Sequence, residues 1–186
     1  MNSHQKVVLH EEDVRRALTR IAHEIAERNA GEPVPAIVGI HRRGAILAQR
    51  VHDQLTQLLE AEVPLGDLDI GFYRDDVASR PDAPVLHASH IDFDVTGRTV
   101  VIVDDVLFTG RTVRAAIEAL FAYGRPARVQ LGVLADRGHR ELPIRPDYVG
   151  KNLPTARAEH VYVRVRELDG VDEVTIATPA VMEASA

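Results

Sequence analysis

The chain has 186 residues, 45% of them hydrophobic and 27% charged, with no cysteine, no tryptophan and a formal net charge of −6. That composition belongs to a folded globular chain, and the length gives one domain over residues 1–186, with a tail from about 178 that frays. Disulfide scaffolds, thiolate metal sites and cysteine nucleophiles are excluded, a reducing cytoplasmic setting fits, and no apolar run approaches the roughly 18 residues of a membrane span.

Residues 11–29 predict an amphipathic helix, because Val14, Leu18, Ile21, Ala22 and Ile25 share one face and Gly31 stops it. Glu11, Glu12 and Asp13 suit its positive N-terminal end. Residues 35–40 predict a short buried strand, followed by His41-Arg42-Arg43-Gly44 and a second helix to about residue 60. A strand is expected at 69–73. The acidic, proline-bearing stretch 74–90 predicts a long loop with a β-hairpin at its edges. Residues 98–104 form the strongest strand signal, then come a helix at 111–122, ended by Gly124 and Pro126, and a buried strand at 129–135. Shorter strands are expected at 148–150, 160–165 and 171–177. Alternating strands and helices make an α/β fold with a mostly parallel sheet.

The segment Val100-Val-Ile-Val-Asp-Asp-Val-Leu-Phe-Thr-Gly-Arg-Thr112 is the most informative. A buried strand ends in two carboxylates, and a tight Thr-Gly-Arg-Thr turn then opens a helix. Ligands of open α/β sheets bind beyond the carboxyl ends of the strands. The free N–H groups of such a turn, with the hydroxyls of Thr109 and Thr112, make a phosphate cradle around Gly110 and Arg111. Asp104 and Asp105 are placed to accept hydrogen bonds from ribose hydroxyls. Strand, acid pair and cradle therefore describe a pocket for a ribose 5-phosphate group. Neither a P-loop nor a dinucleotide-binding glycine fingerprint is present.

This segment resembles the phosphoribosyl-pyrophosphate signature of the type I phosphoribosyltransferase family. Further segments are similar to its branch of pyrimidine-operon regulators that double as uracil phosphoribosyltransferases: Arg15 to Arg28, Tyr73-Arg-Asp-Asp76, Asp136-Arg-Gly-His-Arg-Glu-Leu-Pro-Ile-Arg145 and Asp147-Tyr-Val-Gly-Lys-Asn152. The similarity runs over about residues 5–175. It implies a central parallel sheet flanked by helices, a small hood, a flexible loop, and oligomers built from dimers. It also implies two activities, conversion of uracil and phosphoribosyl pyrophosphate to UMP and pyrophosphate, and binding of pyrimidine-operon mRNA in response to UMP or UTP.

The resemblance further implies Mg²⁺, held mostly by substrate oxygens and water with Asp104 and Asp105. His41, Arg42, Arg43 and Gly44 match the family's pyrophosphate loop. Arg42 departs from the small polar residue common there, and either adds charge or faces solvent. Arg74 opens a loop that closes over the site in such proteins. Arg137 and His139 fall where the base pocket is expected, although His139 serves equally well as a packed structural histidine. Thr19, Arg20, His23 and Arg28 lie along one face of the first helix and, with Arg140, Arg145 and Lys151, match positions of the family's RNA surface. A salvage enzyme without RNA binding and a regulator with a vestigial catalytic site are the alternatives. The net acidity does not oppose a local basic face, because residues 51–100 hold ten acidic and three basic side chains and the remainder is near neutral.

Overall fold

A computed structural model describes residues 5–71 and 89–178. The chain runs β1 (Gln5–Leu9), α1 (Glu11–Arg28), β2 (Ala36–Ile40), α2 (Arg43–Leu59), β3 (Leu65–Leu68), β4 (Thr99–Leu107), α3 (Arg111–Phe121), β5 (Arg128–Asp136), β6 (Tyr148–Asn152), β7 (His160–Arg164), α4 (Arg166–Asp169) and β8 (Glu173–Ala177). Strands β3-β2-β4-β5-β6 form a parallel sheet in that spatial order.

Strand alternation sorts the core into two layers. Val101 and Val103 of β4 pack with Ile21 and Ile25 of α1 and Leu47 and Val51 of α2. Val100 and Ile102, pointing the opposite way, pack with Val113, Ala116 and Leu120 of α3. A β4 buried on both faces explains why its sequence is a continuous apolar run rather than an alternating one. Each buried aliphatic side chain of this kind contributes roughly 1.5–3 kcal/mol.

A second, antiparallel sheet of order β1-β8-β7 forms the hood. Strand β1 has no counterpart among the sequence-based expectations, since its five residues are half exposed and carry no clean periodicity. Of the strand expected at 69–73, residues 69–71 are not in a strand and residues 72 and 73 lie outside the described residues, while strand β3 lies at 65–68. Its register is set by β2, with Ile37 opposite Leu65 and Ile40 opposite Leu68. After Leu68 the chain turns, and the Gly71 N–H donates to Asp69 Oδ1 at 2.7 Å. Strand β8 starts at Glu173 rather than 171, because buried Asp172 accepts hydrogen bonds from Arg50 and from the Arg166 N–H, 2.8 Å each. Most of the expected 74–90 loop, and the tail beyond Thr178, lie outside the described residues. No helix among the described residues is long and apolar enough to cross a membrane.

Candidate active site

The acid pair lies near the carboxyl end of β4, which pairs with β5 as far as Leu107, three residues beyond the expected strand. Asp104 is buried, and its Oδ1 accepts the Asp105 N–H at 2.9 Å. Asp105 Oδ1 accepts the Val106 N–H at 2.8 Å. Burial pushes the Asp105 carboxyl above the usual carboxylate range, against the pull of that N–H and of Arg43. A buried carboxylate held this way is a ready acceptor for donors or a cation brought by a ligand.

The stretch His41-Arg42-Arg43-Gly44 leads from β2 into the first turn of α2 and lies against the same end of β4. Its closeness depends on glycine. A Cβ at Gly44 would stand 2.7 Å from the Val103 carbonyl oxygen and 3.1 Å from Asp104 Cα. The His41–Arg42 peptide is cis. Arg42 is exposed, while the Arg43 guanidinium grips Asp169 of α4 through two hydrogen bonds, 2.8 and 3.3 Å. Arg43, Asp105 and Asp169 line a cleft of about 680 Å³ whose other wall is β7, with Tyr162 and Arg164. The hood thus forms one side of the space above the acid pair.

The turn after β4 has the shape of an anion cradle. Gly110 caps α3 with φ 93°, a left-handed conformation that favours glycine, and a Cβ there would press on Ile144 at 3.3 Å. Arg111 begins the helix, with its N–H 3.3 Å from Thr109 Oγ1, and Thr112 follows in the first turn. Glu141 accepts from Arg111 at 2.9 Å and from Arg157 at 2.8 Å. The segment after β5 braces the cradle from behind, where the N–H groups of Glu141 and Leu142 donate to the Thr109 carbonyl at 3.0 and 3.1 Å.

That bracing segment contains four of the expected site residues, Arg137, His139, Arg140 and Arg145. Arg137 is buried with its guanidinium 4.1 Å from the centroid of the Phe108 ring, and it donates to the Ala156 and Arg157 carbonyls. Its Nε has no hydrogen-bond partner among the described residues, and burial pulls the guanidinium below its usual value. His139 bonds the Thr155 carbonyl at 2.6 Å through Nε2 and meets Phe108 edge-on. Arg140 binds Asp136 at 2.6 Å and the carbonyls of Phe108 and Ile144 at 2.9 and 3.0 Å. Its guanidinium is committed to holding this loop against the cradle.

The basic residues of α1 fall together with those of β6, because the two elements pack side by side. Arg20 donates to Glu24 at 2.8 Å and to the Val149 and Gly150 carbonyls at 3.0 and 2.7 Å. Arg28 pairs with Asp147 at 2.9 Å and stands over the Tyr148 ring. Thr19 bonds back to the Arg15 carbonyl, His23 is exposed, and Lys151 is exposed on β6. Arg145 is exposed on the loop before β6. Arg15 and Arg16 add to this face, but both pair with Glu12, whose carboxyl the Arg15 hydrogen bonds hold at about 2. The strip is therefore basic with oriented guanidinium groups, and both arginines tied to β6 or its lead-in remain about half exposed.

Arg74 lies outside the described residues. Phe108 and Asp169 were not anticipated. Phe108 sits within the signature segment, and only the fold of the β5–β6 loop shows that Arg137 and His139 meet it. Asp169 is bonded locally to the Val165 N–H, but it lies 126 residues from Arg43, the guanidinium it holds.

The parallel sheet, the acid pair and the glycine-capped cradle define a phosphoribosyltransferase. Residues 4–167 match the phosphoribosyl transferase domain family, and the chain belongs to it. Its similarity to the bifunctional protein PyrR of Roseiflexus sp. (strain RS-1) is 61% identity over 173 residues, covering 92% of this chain and 94% of the relative. The bifunctional protein PyrR of Deinococcus radiodurans is 53% identical over 179 residues, covering 96% and 98% of the two chains. Among solved structures, a hypoxanthine phosphoribosyltransferase of Trypanosoma cruzi superimposes with a TM-score of 0.70 at 20% identity, over 94% of this chain and 97% of that one. One from Staphylococcus aureus gives 0.68 at 20% identity, over 94% and 93%. At those identities the structural likeness shows the fold alone. The resemblance to the pyrimidine-operon regulators is borne out by the closer relatives.

Proposed function

We propose that this chain converts uracil and phosphoribosyl pyrophosphate to UMP and pyrophosphate, and binds pyrimidine-operon mRNA in response to uridine nucleotides. The observation that carries the enzymatic part is the acid pair at the end of β4, one short turn before a glycine-capped cradle and directly beneath the pyrophosphate-type loop. The regulatory part is supported by the relatives' name, bifunctional protein PyrR, and by the basic strip joining α1 to β6.

In the reaction the C1–O bond to pyrophosphate breaks as a uracil nitrogen forms the new C1–N bond, and the proton on that nitrogen leaves to solvent. Positive charge develops on the ribose and negative charge on the leaving group. Asp104 and Asp105 accept the ribose hydroxyls, so their charge is fixed near the developing cation. The N–H groups at the start of α3 and the hydroxyls of Thr109 and Thr112 hold the 5-phosphate and the ribose in line. Arg43 and His41 face the pyrophosphate, with Arg43 steadied by Asp169. The Phe108–Arg137–His139 group gives the pyrimidine a firm flank, and Arg74 belongs to the segment proposed to cover the site. The oxygen donors of Asp104 and Asp105 suit Mg²⁺, and burial of Asp105 favours a cation beside it. Bound with substrate and water, that ion would neutralise pyrophosphate oxygens.

On the RNA side, Arg20, Arg28, Lys151 and Arg145 offer phosphate contacts, Thr19 and His23 lie beside Arg20 on α1, and base specificity comes from unpaired loop nucleotides. Arg140 supports this surface from within rather than touching RNA. Assembly into dimers or larger oligomers and a cytoplasmic location complete the proposal. Steady-state turnover with uracil, hypoxanthine, guanine and orotate tests the enzyme, and filter binding of an RNA hairpin with and without UMP tests the regulator. Activity on a purine and none on uracil refutes the first, and UMP-independent hairpin binding refutes the second.

A further inference from the structure

We propose that His41, Asp67 and His90 form a binding site for a divalent transition metal of the zinc class. The main chain brings the three together before any side chain is considered. Strands β2 and β3 end side by side, with Ile40 opposite Leu68, and the His41 N–H donates to the Leu68 carbonyl at 2.9 Å. His90 meets Asp67 in an antiparallel bridge closed by both of its hydrogen bonds, 2.9 and 3.0 Å. Three backbone hydrogen bonds therefore fix three potential ligands at one edge of the sheet, the preorganisation a metal site needs.

The side chains then converge. His41 Nε2 lies 2.5 Å from Asp67 Oδ1, and His90 Nδ1 lies 3.3 Å from the same oxygen. All the ligand atoms lie within 4.8 Å of one another, and no other such group occurs among the described residues. A tetrahedral zinc ion at ~2.05 Å from its ligands separates donor atoms by ~3.3 Å. The His90–Asp67 pair already has that spacing, and the His41–Asp67 pair opens by less than an ångström when a metal replaces the shared proton. His41 and Asp67 are half-buried, and His90 is 63% exposed, so the site is both shaped and reachable.

The donor set selects the ion. Two imidazoles and one carboxylate suit Zn²⁺, Co²⁺ or Ni²⁺, whereas Mg²⁺ and Ca²⁺ prefer oxygen alone. This separates the site from Asp104 and Asp105, whose donors are all oxygen. Three protein ligands leave the fourth position for water or a phosphate oxygen. His41 also belongs to the loop proposed to face the pyrophosphate, so the test reads metal binding directly and not turnover.

The test is a titration of chelator-treated protein with Co²⁺, followed by its visible ligand-field absorption. Saturation at one ion per chain, displacement by Zn²⁺ and resistance to excess Mg²⁺ are expected. His90→Ala should weaken binding by about 100-fold or more, Asp67→Asn should also weaken it while preserving side-chain volume, and His52→Ala should leave it unchanged. Zn²⁺ should raise the melting temperature of the wild type and not that of His90→Ala. Failure of the wild type to saturate, displacement by Mg²⁺, or wild-type titrations from both His90→Ala and Asp67→Asn would overturn the assignment. If His90→Ala does not fold, Asp67→Asn alone decides.

Discussion

Replacing Gly44 with alanine perturbs the point where the pyrophosphate-type loop touches the catalytic strand. The new methyl carbon would stand 2.7 Å from the Val103 carbonyl oxygen and 3.3 Å from Asp104 Oδ1, whereas ordinary contact begins near 3.4 Å. Relief requires the start of α2 to withdraw by about 0.7 Å, since β4 is held in the middle of the sheet between β2 and β5. It cannot slide toward β2, because a Cβ at Gly39 would already meet Ala45 Cα at 2.4 Å, which shows how tightly the helix seats there. Such overpacking costs about 1–3 kcal/mol of stability. A displacement approaching 1 Å between the leaving-group loop and the acid pair lowers kcat/KM by about 100-fold. Initial rates of UMP formation, with urea unfolding on the same samples, measure both effects. Gly97→Ala is the control, because its Cβ meets nothing within 4 Å and it lies at the opposite end of β4. It should lose about 1 kcal/mol for its positive φ and keep its rate. A Gly44→Ala protein within about twofold of wild-type kcat/KM and about 0.5 kcal/mol of its stability would refute the packing logic.

Four other outcomes follow. Asp104→Ala combined with Asp105→Ala should abolish UMP formation while leaving the far-ultraviolet circular dichroism intact, and a double variant with wild-type rates would place the chemistry elsewhere. Arg20→Ala with Arg28→Ala should weaken hairpin binding and reduce the slope of log affinity against log salt by about 0.7–0.9 for each phosphate no longer neutralised; equal binding removes the α1 face from the RNA surface. Arg140→Ala should destabilise the fold by about 2–3 kcal/mol, because a carboxylate and two carbonyls are left without their donor, with the salt slope of RNA binding unchanged. Asp169 is held below the ordinary carboxylate value by the Val165 N–H and by Arg43. Its stabilisation is therefore fully present above about pH 4 and lost as pH falls through the lowered folded value, so Asp169→Asn should flatten the acid limb of the stability profile.

The central fold was legible because its signals are local. An apolar run ending in Asp104 and Asp105, a glycine able to take a positive φ, and an amphipathic helix each announce themselves within a dozen residues. Two hood strands, β7 and β8, were legible from their own residues, but their assembly into a hood was legible only through family resemblance, since β1 is a half-exposed strand whose partner lies in β8. The edge strand β3 was misplaced for a related reason: its position follows from register with β2, while its own residues offer equally good strand patterns on either side of Leu68. In the site, residue types were informative and commitments were not. Arg140 and Arg145 look alike in sequence, yet one is bound inside the loop and the other faces solvent. Arg43 was expected to face pyrophosphate, but nothing near it in sequence announces the carboxylate of Asp169 that orients it.

The pairing of β1 with β8 has a consequence for how the molecule comes into being. Gln5 finds its hydrogen-bond partner Thr175 at a separation of 170 residues. The parallel sheet can assemble progressively during synthesis, but the hood must wait until residues 173–177 leave the ribosome. Until then Leu9 at the end of β1 lacks Val174, its neighbour in register, and the β7 wall of the cleft has no strand to pair with. In a nascent or truncated chain the acid pair and cradle thus stand before an unfinished wall, and the cleft beside Asp105 is completed only with the closing strand.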